Sequence, residues 1–201
     1  MLKALGSRGF ATVCEEPSPY GDSGKMTRED FAKLPAETGY ILQLIDGMLI
    51  REPTPTYRHQ RISRRLQQIL ISYFDKIDRR VRYLTRLWMS TLMNILWCSR
   101  TCSFYPAHNQ NKAGPVDSLP SLVVEILSPS TARTDRIKKL NSYQKAGVTH
   151  YWIVDLMDCL IECYKLEGDY YVAFVRTAEG MFVHPDFPDL TFDLQALFAD
   201  A

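Results

Sequence analysis

The segment Ser121–Leu127, S-L-V-V-E-I-L, constrains the fold of this chain more than any other. A nearly continuous run of Val, Ile and Leu of this length is typical of a strand buried on both faces of a sheet. Glu125 interrupts the run, and a buried carboxylate needs a cation, a metal ion or a hydrogen-bond network to compensate its desolvation. From this segment alone, an ion pair or an exposed strand end explains Glu125 as well as a functional site does.

A second buried strand is predicted one helix later. The helix is expected from about Thr134 to Ala146, and Gly147 is placed for a left-handed cap at its carboxyl end. His150–Asp155, H-Y-W-I-V-D, then has the composition of another buried strand. A strand, helix and strand in this order predict a sheet with the helix packed on one face.

Toward the amino end, the pattern predicts two helices and a hairpin. Thr27 is expected to cap a short amphipathic helix. Asp46-Gly47 is expected to join strands at Tyr40–Leu44 and Met48–Arg51, because this dipeptide tolerates the positive φ of a tight turn. Apolar residues spaced three and four apart predict one long helix over Tyr57 to Asp78.

Toward the carboxyl end, a second hairpin is predicted around Glu167-Gly168-Asp169, between strands at Leu160–Leu166 and Tyr170–Arg176. A closing strand and a short helix follow. The expected fold class is α/β, more strictly α+β, with a mixed central sheet flanked by helices and with β-hairpins near both ends.

Length and charge bound the organisation of the chain. The 201 residues suit one domain, which we expect over 26–201, with 1–25 as a flexible leader or an upstream extension before a true start at Met26. The net charge of +1 gives no support for nucleic-acid binding, so any basic surface must be local. No apolar run is long enough to cross a membrane, and we expect a cytoplasmic protein.

The cysteines form no disulfide framework in a chain of this size. Cys98/Cys102 and Cys159/Cys163 each have the spacing C-x3-C, and a zinc site would recruit His108 or His150. We favour structural thiols, because Cys159 and Cys163 lie in a strand-like alternation where free thiols act as small hydrophobic groups.

The phrases around Glu125 resemble a known family. V-V-E-I-L-S-P-S-T, the following D-R-I-K-K, A-G-V-T-H-Y-W-I-V-D and the earlier L-I-D-G-M-L-I are similar to the signature of the Uma-two family of restriction endonuclease-like proteins. The similarity covers about residues 27–200, apart from a gap in the middle. It implies the PD-(D/E)xK nuclease fold, in which two carboxylates hold Mg²⁺ and a lysine assists hydrolysis of a DNA phosphodiester.

The resemblance also implies site residues. Glu125 matches the second carboxylate and is the expected metal ligand, and oxygen ligands are what Mg²⁺ prefers. Lys139 is the expected catalytic lysine, and Lys138 is a weaker candidate. The alternative is that Lys139 simply lies on a solvated helix face. Gln43 stands where the family has a glutamate, so it can form hydrogen bonds but is a poor metal ligand. His59 faces the site or is an ordinary capping or surface histidine.

The first metal-binding aspartate is missing. The chain has no acidic residue from Arg79 through Val116, although the resemblance implies an aspartate near residue 100. Consider the alternative reading frame that starts at the last base of each codon. In that frame the codon overlapping Trp88-Met89 must encode Asp, the one overlapping Met93-Asn94 must encode Glu and the one overlapping Trp97-Cys98 must encode Val. With permitted codons elsewhere, Trp88–Thr101 reads D-V-Y-L-D-E-Y-x-V-V-Q-P-D. We therefore hypothesise a frameshift over about 87–104, which removes the catalytic aspartate at Arg100-Thr101; the alternative is a diverged loop.

The sequence thus predicts an Mg²⁺-dependent DNA endonuclease that is impaired, so whether this chain is an active enzyme stays open. The alternative is an inactive nucleic-acid-binding or assembly module, with Arg58, Arg61, Arg64 and Arg65 touching phosphates. A misfolded product is a third interpretation. By analogy with nucleases of this fold, a homodimer is expected.

Overall fold

The structure of the chain is a computed structural model that describes residues 25–77, 82–84, 96–97, 102–105, 119–127, 132 and 134–199. The first elements are α1 (Arg28–Ala32), β1 (Tyr40–Ile45), β2 (Met48–Pro53), α2 (Tyr57–Ile77), β3 (Arg82–Leu84), β4 (Leu96–Trp97), β5 (Cys102–Tyr105) and β6 (Leu122–Leu127). A π-helical turn (Thr134–Lys139) leads into α3 (Leu140–Ala146), and these are followed by β7 (His150–Asp155), β8 (Leu160–Glu167), β9 (Tyr170–Thr177), β10 (Met181–Val183), β11 (Thr191–Asp193) and α4 (Leu194–Phe198).

A mixed sheet of six strands, in the order β3-β5-β6-β7-β8-β9, forms the centre of the described structure. β6 and β7 are parallel, with Glu125 opposite Ile153, whereas the other neighbouring pairs are antiparallel. Parallel neighbours need a crossover connection, which the π-helical turn and α3 supply. The predicted strand, helix, strand unit and the mixed central sheet are therefore confirmed.

Helices and a hairpin cover the two faces of this sheet. On one face, Val124 and Ile126 of β6 pack with residues of α2 and α4. On the other face, Val123 and Leu127 pack with Tyr143 of α3 and with β1. Side chains alternate between the faces of a strand, so Glu125 lies on the face covered by α3 and β1.

Local turn and cap signals act as the sequence predicts. Thr27 forms a capping box with Asp30 at the start of α1. Asp46 and Gly47, at φ values of 51° and 80°, form the tight turn between β1 and β2. Gly147 ends α3 in the left-handed conformation, at φ 82°. Each position depends on a few adjacent residues, which is why the sequence alone places it.

One helix differs from its prediction. The segment expected as a single α-helix from Thr134 is π-helical to Lys139 and α-helical only from Leu140. The hydroxyl of Tyr151 donates to the carbonyl oxygen of Asp135 over 3.1 Å, and a donor inserted from outside disturbs the backbone ladder of a helix. Tertiary contact therefore changes the helix type at this turn.

Strands near the carboxyl end and in the middle of the chain extend the prediction. β10 and β11 form a hairpin of which only the second strand is expected from the sequence, and β4 adds to β1 outside the central sheet. Residues 1–24, all but the last residue of the expected leader 1–25, and most of the stretch 87–104 lie outside the described residues. No helix in the described ranges is both long and apolar enough to span a bilayer.

Candidate active site

Glu125 lies at the centre of the candidate site, and 1% of its surface is exposed. The hydroxyl of Tyr143 donates to Glu125 Oε1 over 3.0 Å. The ammonium group of Lys139 donates to Oε2 over 3.3 Å. A carboxylate enclosed in this way is compensated by one charge and one neutral donor, which is the network that its position in β6 requires.

Lys139 is as fully enclosed as its partner, with 1% of its surface exposed. Its Nζ lies 2.6 Å from Oδ1 of Asp135, a carboxylate that is also 1% exposed. The ammonium group therefore lies between the carboxylates of Glu125 and Asp135. Lys138, the weaker candidate from the sequence, is exposed, so the structure brings Lys139 and not Lys138 to Glu125.

Asp135 and Tyr143 are the residues of this cluster to which sequence reasoning gives no role. They lie four residues before and four residues after Lys139, and side chains spaced in fours share a helix face. That spacing is a signal in the sequence, but it becomes informative only once one member of the face is known to be buried. The π-helical turn presents Asp135 and Lys139 to β6 together.

Gln43 is fully buried in β1 and donates to Oε2 of Glu52 over 2.6 Å. Ile45, two residues along the same face of β1, packs in the cluster that contains Val123 and Leu127 on either side of Glu125. The expected site residue Gln43 therefore lies on the same side of the central sheet as Glu125. Glu52, 3% exposed, is a buried carboxylate that the sequence gave no reason to select, because it precedes a proline-rich turn.

His59 and the arginines of α2 have mostly structural contacts. His59 is buried, and its Nε2 lies 3.0 Å from the carbonyl oxygen of Ile126, so this nitrogen carries the proton and joins α2 to β6. The alternative prediction that His59 is a surface histidine is therefore wrong. Arg65 donates to the carbonyl oxygens of Leu197 and Ala199 at the end of α4.

Of the remaining arginines on α2, Arg58 lies 3.8 Å from the Cys159 thiol through Nη2, whereas Arg64 is exposed. A continuous phosphate-binding row along this helix is therefore interrupted by inward contacts. Cys159 and Cys163 are free thiols, and burial raises the pKa of Cys163 well above its usual value.

The neighbour of β6 on the side away from β7 is β5. Cys102, the first residue of β5, lies opposite Val124, the residue that precedes Glu125. The hypothesised position of the missing aspartate, Arg100-Thr101, immediately precedes Cys102 in the chain and lies outside the described residues.

The donor set in the described part of the chain does not fit a magnesium ion. Mg²⁺ demands near-octahedral oxygen coordination. Both oxygens of Glu125 already accept hydrogen bonds, from Lys139 and Tyr143. Within the described ranges, no group of three or more His, Cys, Asp or Glu side chains is arranged to hold a metal ion.

Comparisons with known proteins agree with this fold. Comparison with curated proteins gives no significant match. Among solved structures, the chain is similar to a protein from Anabaena variabilis ATCC 29413 described as a "putative nuclease belonging to DUF820". The two share 22% identity with a TM-score of 0.67, over 86% of this chain and 97% of the other. The family model Uma2, described as "Putative restriction endonuclease", matches residues 28–195. The chain therefore belongs to the Uma2 family.

Proposed function

We propose that this chain is a DNA nuclease of the PD-(D/E)xK type whose Mg²⁺-dependent phosphodiester hydrolysis is impaired. The observation that carries the proposal is the ion pair between Glu125, on strand β6, and Lys139, at the end of the π-helical turn, in a chain of the Uma2 family. A carboxylate and a lysine at one point are the residue types that phosphodiester hydrolysis uses, for a hard cation and for developing negative charge.

The missing carboxylate supports impairment. The chain has no acidic residue from Arg79 through Val116, so β5 and the residues just before it bring no carboxylate to the edge of β6. With one of the two expected metal carboxylates absent, we expect very weak or absent cleavage.

Restoring the missing phrase tests the proposal. A chain in which D-V-Y-L-D-E-Y-A-V-V-Q-P-D replaces the thirteen residues Trp88–Arg100 is compared with the present chain on supercoiled DNA with Mg²⁺ or Mn²⁺. We expect nicking by the restored chain alone. The matched controls are the restored chain ending in Asn instead of Asp, and the restored chain with Glu125→Ala, both of which should be inactive.

Robust nicking by the present chain that Glu125→Ala abolishes would contradict impairment. The nucleotide sequence across codons 80–110 tests the frameshift separately, since codons incompatible with the restored phrase exclude it. A restored chain that folds but leaves DNA intact counts against nuclease chemistry in this site.

A second candidate function is an inactive nucleic-acid-binding or assembly module. The enclosure of Glu125, Lys139 and Asp135 favours it, because a satisfied and buried cluster can support a fold without chemistry. DNA binding that weakens with salt, and that falls when Arg61 and Arg64 are changed to Glu, is its expected signature. We propose a homodimer for either function by analogy with this fold, and light scattering of the purified chain tests it.

A further inference from the structure

A turn at residues 184–187 lies in the connection between β10 and β11 and is closed by the side chain of its first residue. The backbone N–H of Phe187 donates to the carbonyl oxygen of His184 over 3.2 Å. The backbone N–H of Asp186 donates to Nδ1 of His184 over 3.1 Å. The imidazole therefore accepts from the backbone two residues on, as an asparagine side chain does in an Asx-turn.

The hydrogen bond at Nδ1 determines where His184 can take up a proton. Because Nδ1 is the acceptor, the single proton of the neutral ring lies on Nε2. A second proton can bind only at Nδ1, where it would place two N–H donors against each other. The imidazolium form of His184 is therefore incompatible with the hydrogen bond that closes the 184–187 turn.

The surroundings of His184 disfavour its charged form as well. The residue is 2% exposed, and its Nε2 has no hydrogen-bond partner among the described residues. Four uncharged aromatic side chains enclose the ring at centroid distances from 4.6 to 6.3 Å, namely Trp152 of β7, Phe174 of β9, Phe182 of β10 and Phe187 of the turn. A charge on this ring would lose its hydration.

Three ionisable side chains face His184, and two of them carry or can carry a positive charge. These are His150 of β7, Lys165 of β8 and Asp186 of the turn. The carboxylate of Asp186 is already paired with Lys165 over 2.8 Å and lies 3.8 Å from Nε2 of His150. Burial first, and then the neighbouring His150, lower the pKa of His184 from 6.5 to about 4.

The β10–β11 hairpin can leave β7 without breaking the central sheet. Its two strands form a sheet of their own, and Phe182 and Phe192 pack in the same core cluster as Trp152. We propose that protonation of His184 in mild acid opens the 184–187 turn and releases the β10–β11 hairpin from β7 before the central sheet unfolds. The proposal does not depend on nuclease activity, since this cluster lies on the face of the sheet opposite to Glu125.

The experiment is hydrogen exchange of the full chain at pH 7 and pH 5, read by NMR and corrected for the intrinsic exchange rate of each amide. The amides of Asp186, Phe187 and the β10–β11 hairpin should lose about 20-fold in protection, because the open turn binds a proton near the ordinary pKa of histidine and the closed turn only near 4. Their exchange at pH 5 should depend weakly on added urea. The amides of β6 and β7 should exchange more slowly and with a strong dependence on urea.

Matched variants locate the response. In His184→Asn, the side-chain oxygen keeps an acceptor two residues before Asp186 but takes up no proton in this range of pH, so protection of the turn amides should be the same at pH 7 and pH 5 within about twofold. His150→Gln removes the neighbouring imidazole and should keep most of the pH dependence. In the unmodified chain, an NMR spectrum of the imidazole nitrogens should show the proton of neutral His184 on Nε2, which tests the premise without any variant.

Several results would overturn the proposal. The first is equal protection of the turn amides at pH 7 and pH 5 in the unmodified chain, or a neutral His184 with its proton on Nδ1. The second is exchange of the hairpin amides at the rates and with the urea dependence of β7, since the opening would then be global. The third is a pH dependence that survives in His184→Asn and disappears in His150→Gln, since it would belong to His150.

Discussion

The hydroxyl of Tyr143 donates to Oε1 of Glu125 over 3.0 Å, and 1% of each residue is exposed. Because the carboxylate has no access to water that could replace this donor, Tyr143→Phe should lower the free energy of unfolding by about 1 to 3 kcal/mol. Urea denaturation measures the change. Tyr170→Phe, at a side chain that is 72% exposed, is the control and should change stability little. Equal stability of the two variants would show that this hydrogen bond does not contribute to the free energy of unfolding.

The β1–β2 hairpin provides a pair of matched glycine substitutions, with Gly47 in its turn and Gly39 immediately before β1. Gly47 and Gly39 both have φ of 80°, but a Cβ at Gly47 would lie 2.8 Å from Cβ of Lys25, whereas a Cβ at Gly39 meets no described atom within 4 Å. Gly39→Ala should therefore cost about 1 kcal/mol for its backbone conformation alone. Gly47→Ala should cost measurably more in urea denaturation. A smaller cost at Gly47 would mean that Lys25 moves away freely.

Arg65 joins two helices that are distant in sequence. Its Nη1 donates to the carbonyl oxygens of Leu197 over 3.0 Å and of Ala199 over 2.6 Å, at the end of α4. Arg65→Met keeps most of the apolar stem but removes both charged hydrogen bonds, so we expect a loss of about 1.5 to 3 kcal/mol. Arg64→Met, at the preceding and exposed position, should stay within about 0.5 kcal/mol of the present chain.

Stability should fall in mild acid because of His184. Burial first, and then the neighbouring His150, lower the pKa of His184 from 6.5 to about 4. Between these two values the unfolded chain binds a proton that the folded chain does not, so stability falls as pH falls through this window. The loss between pH 7 and pH 4 from this group is on the order of 3 kcal/mol.

Urea denaturation at pH 7, 5.5 and 4.5 measures the loss, and NMR titration of the imidazole checks its cause. The ring of His184 lies 5.2 Å from that of Trp152 and 4.6 Å from that of Phe187, which leaves little room for hydration of a charged form. His184→Gln should flatten the dependence on pH. An imidazole that titrates near 6.5 in the folded chain would refute this account.

Much of the central fold could be predicted because its signals are local. The run Ser121–Leu127 and the phrase His150–Asp155 each contain enough β-branched and aromatic residues to specify a buried strand, and β7 has the predicted bounds. The turns at Asp46-Gly47 and Gly147 depend on backbone conformations that few residues adopt. The choice of Lys139 over Lys138 came from the family resemblance, and the structure brings Lys139 to Glu125.

The sequence by itself determined that Glu125 belongs to a strand of buried composition, where a carboxylate needs partners unless it reaches water. Only the tertiary structure decided which partners these are. Tyr143, Lys139 and Asp135 reach β6 through the π-helical turn and α3, and Glu52 reaches Gln43 across the hairpin. Those choices depend on how a helix or a hairpin packs against a strand distant in sequence, and propensities carried by neighbouring residues hold no information about that packing.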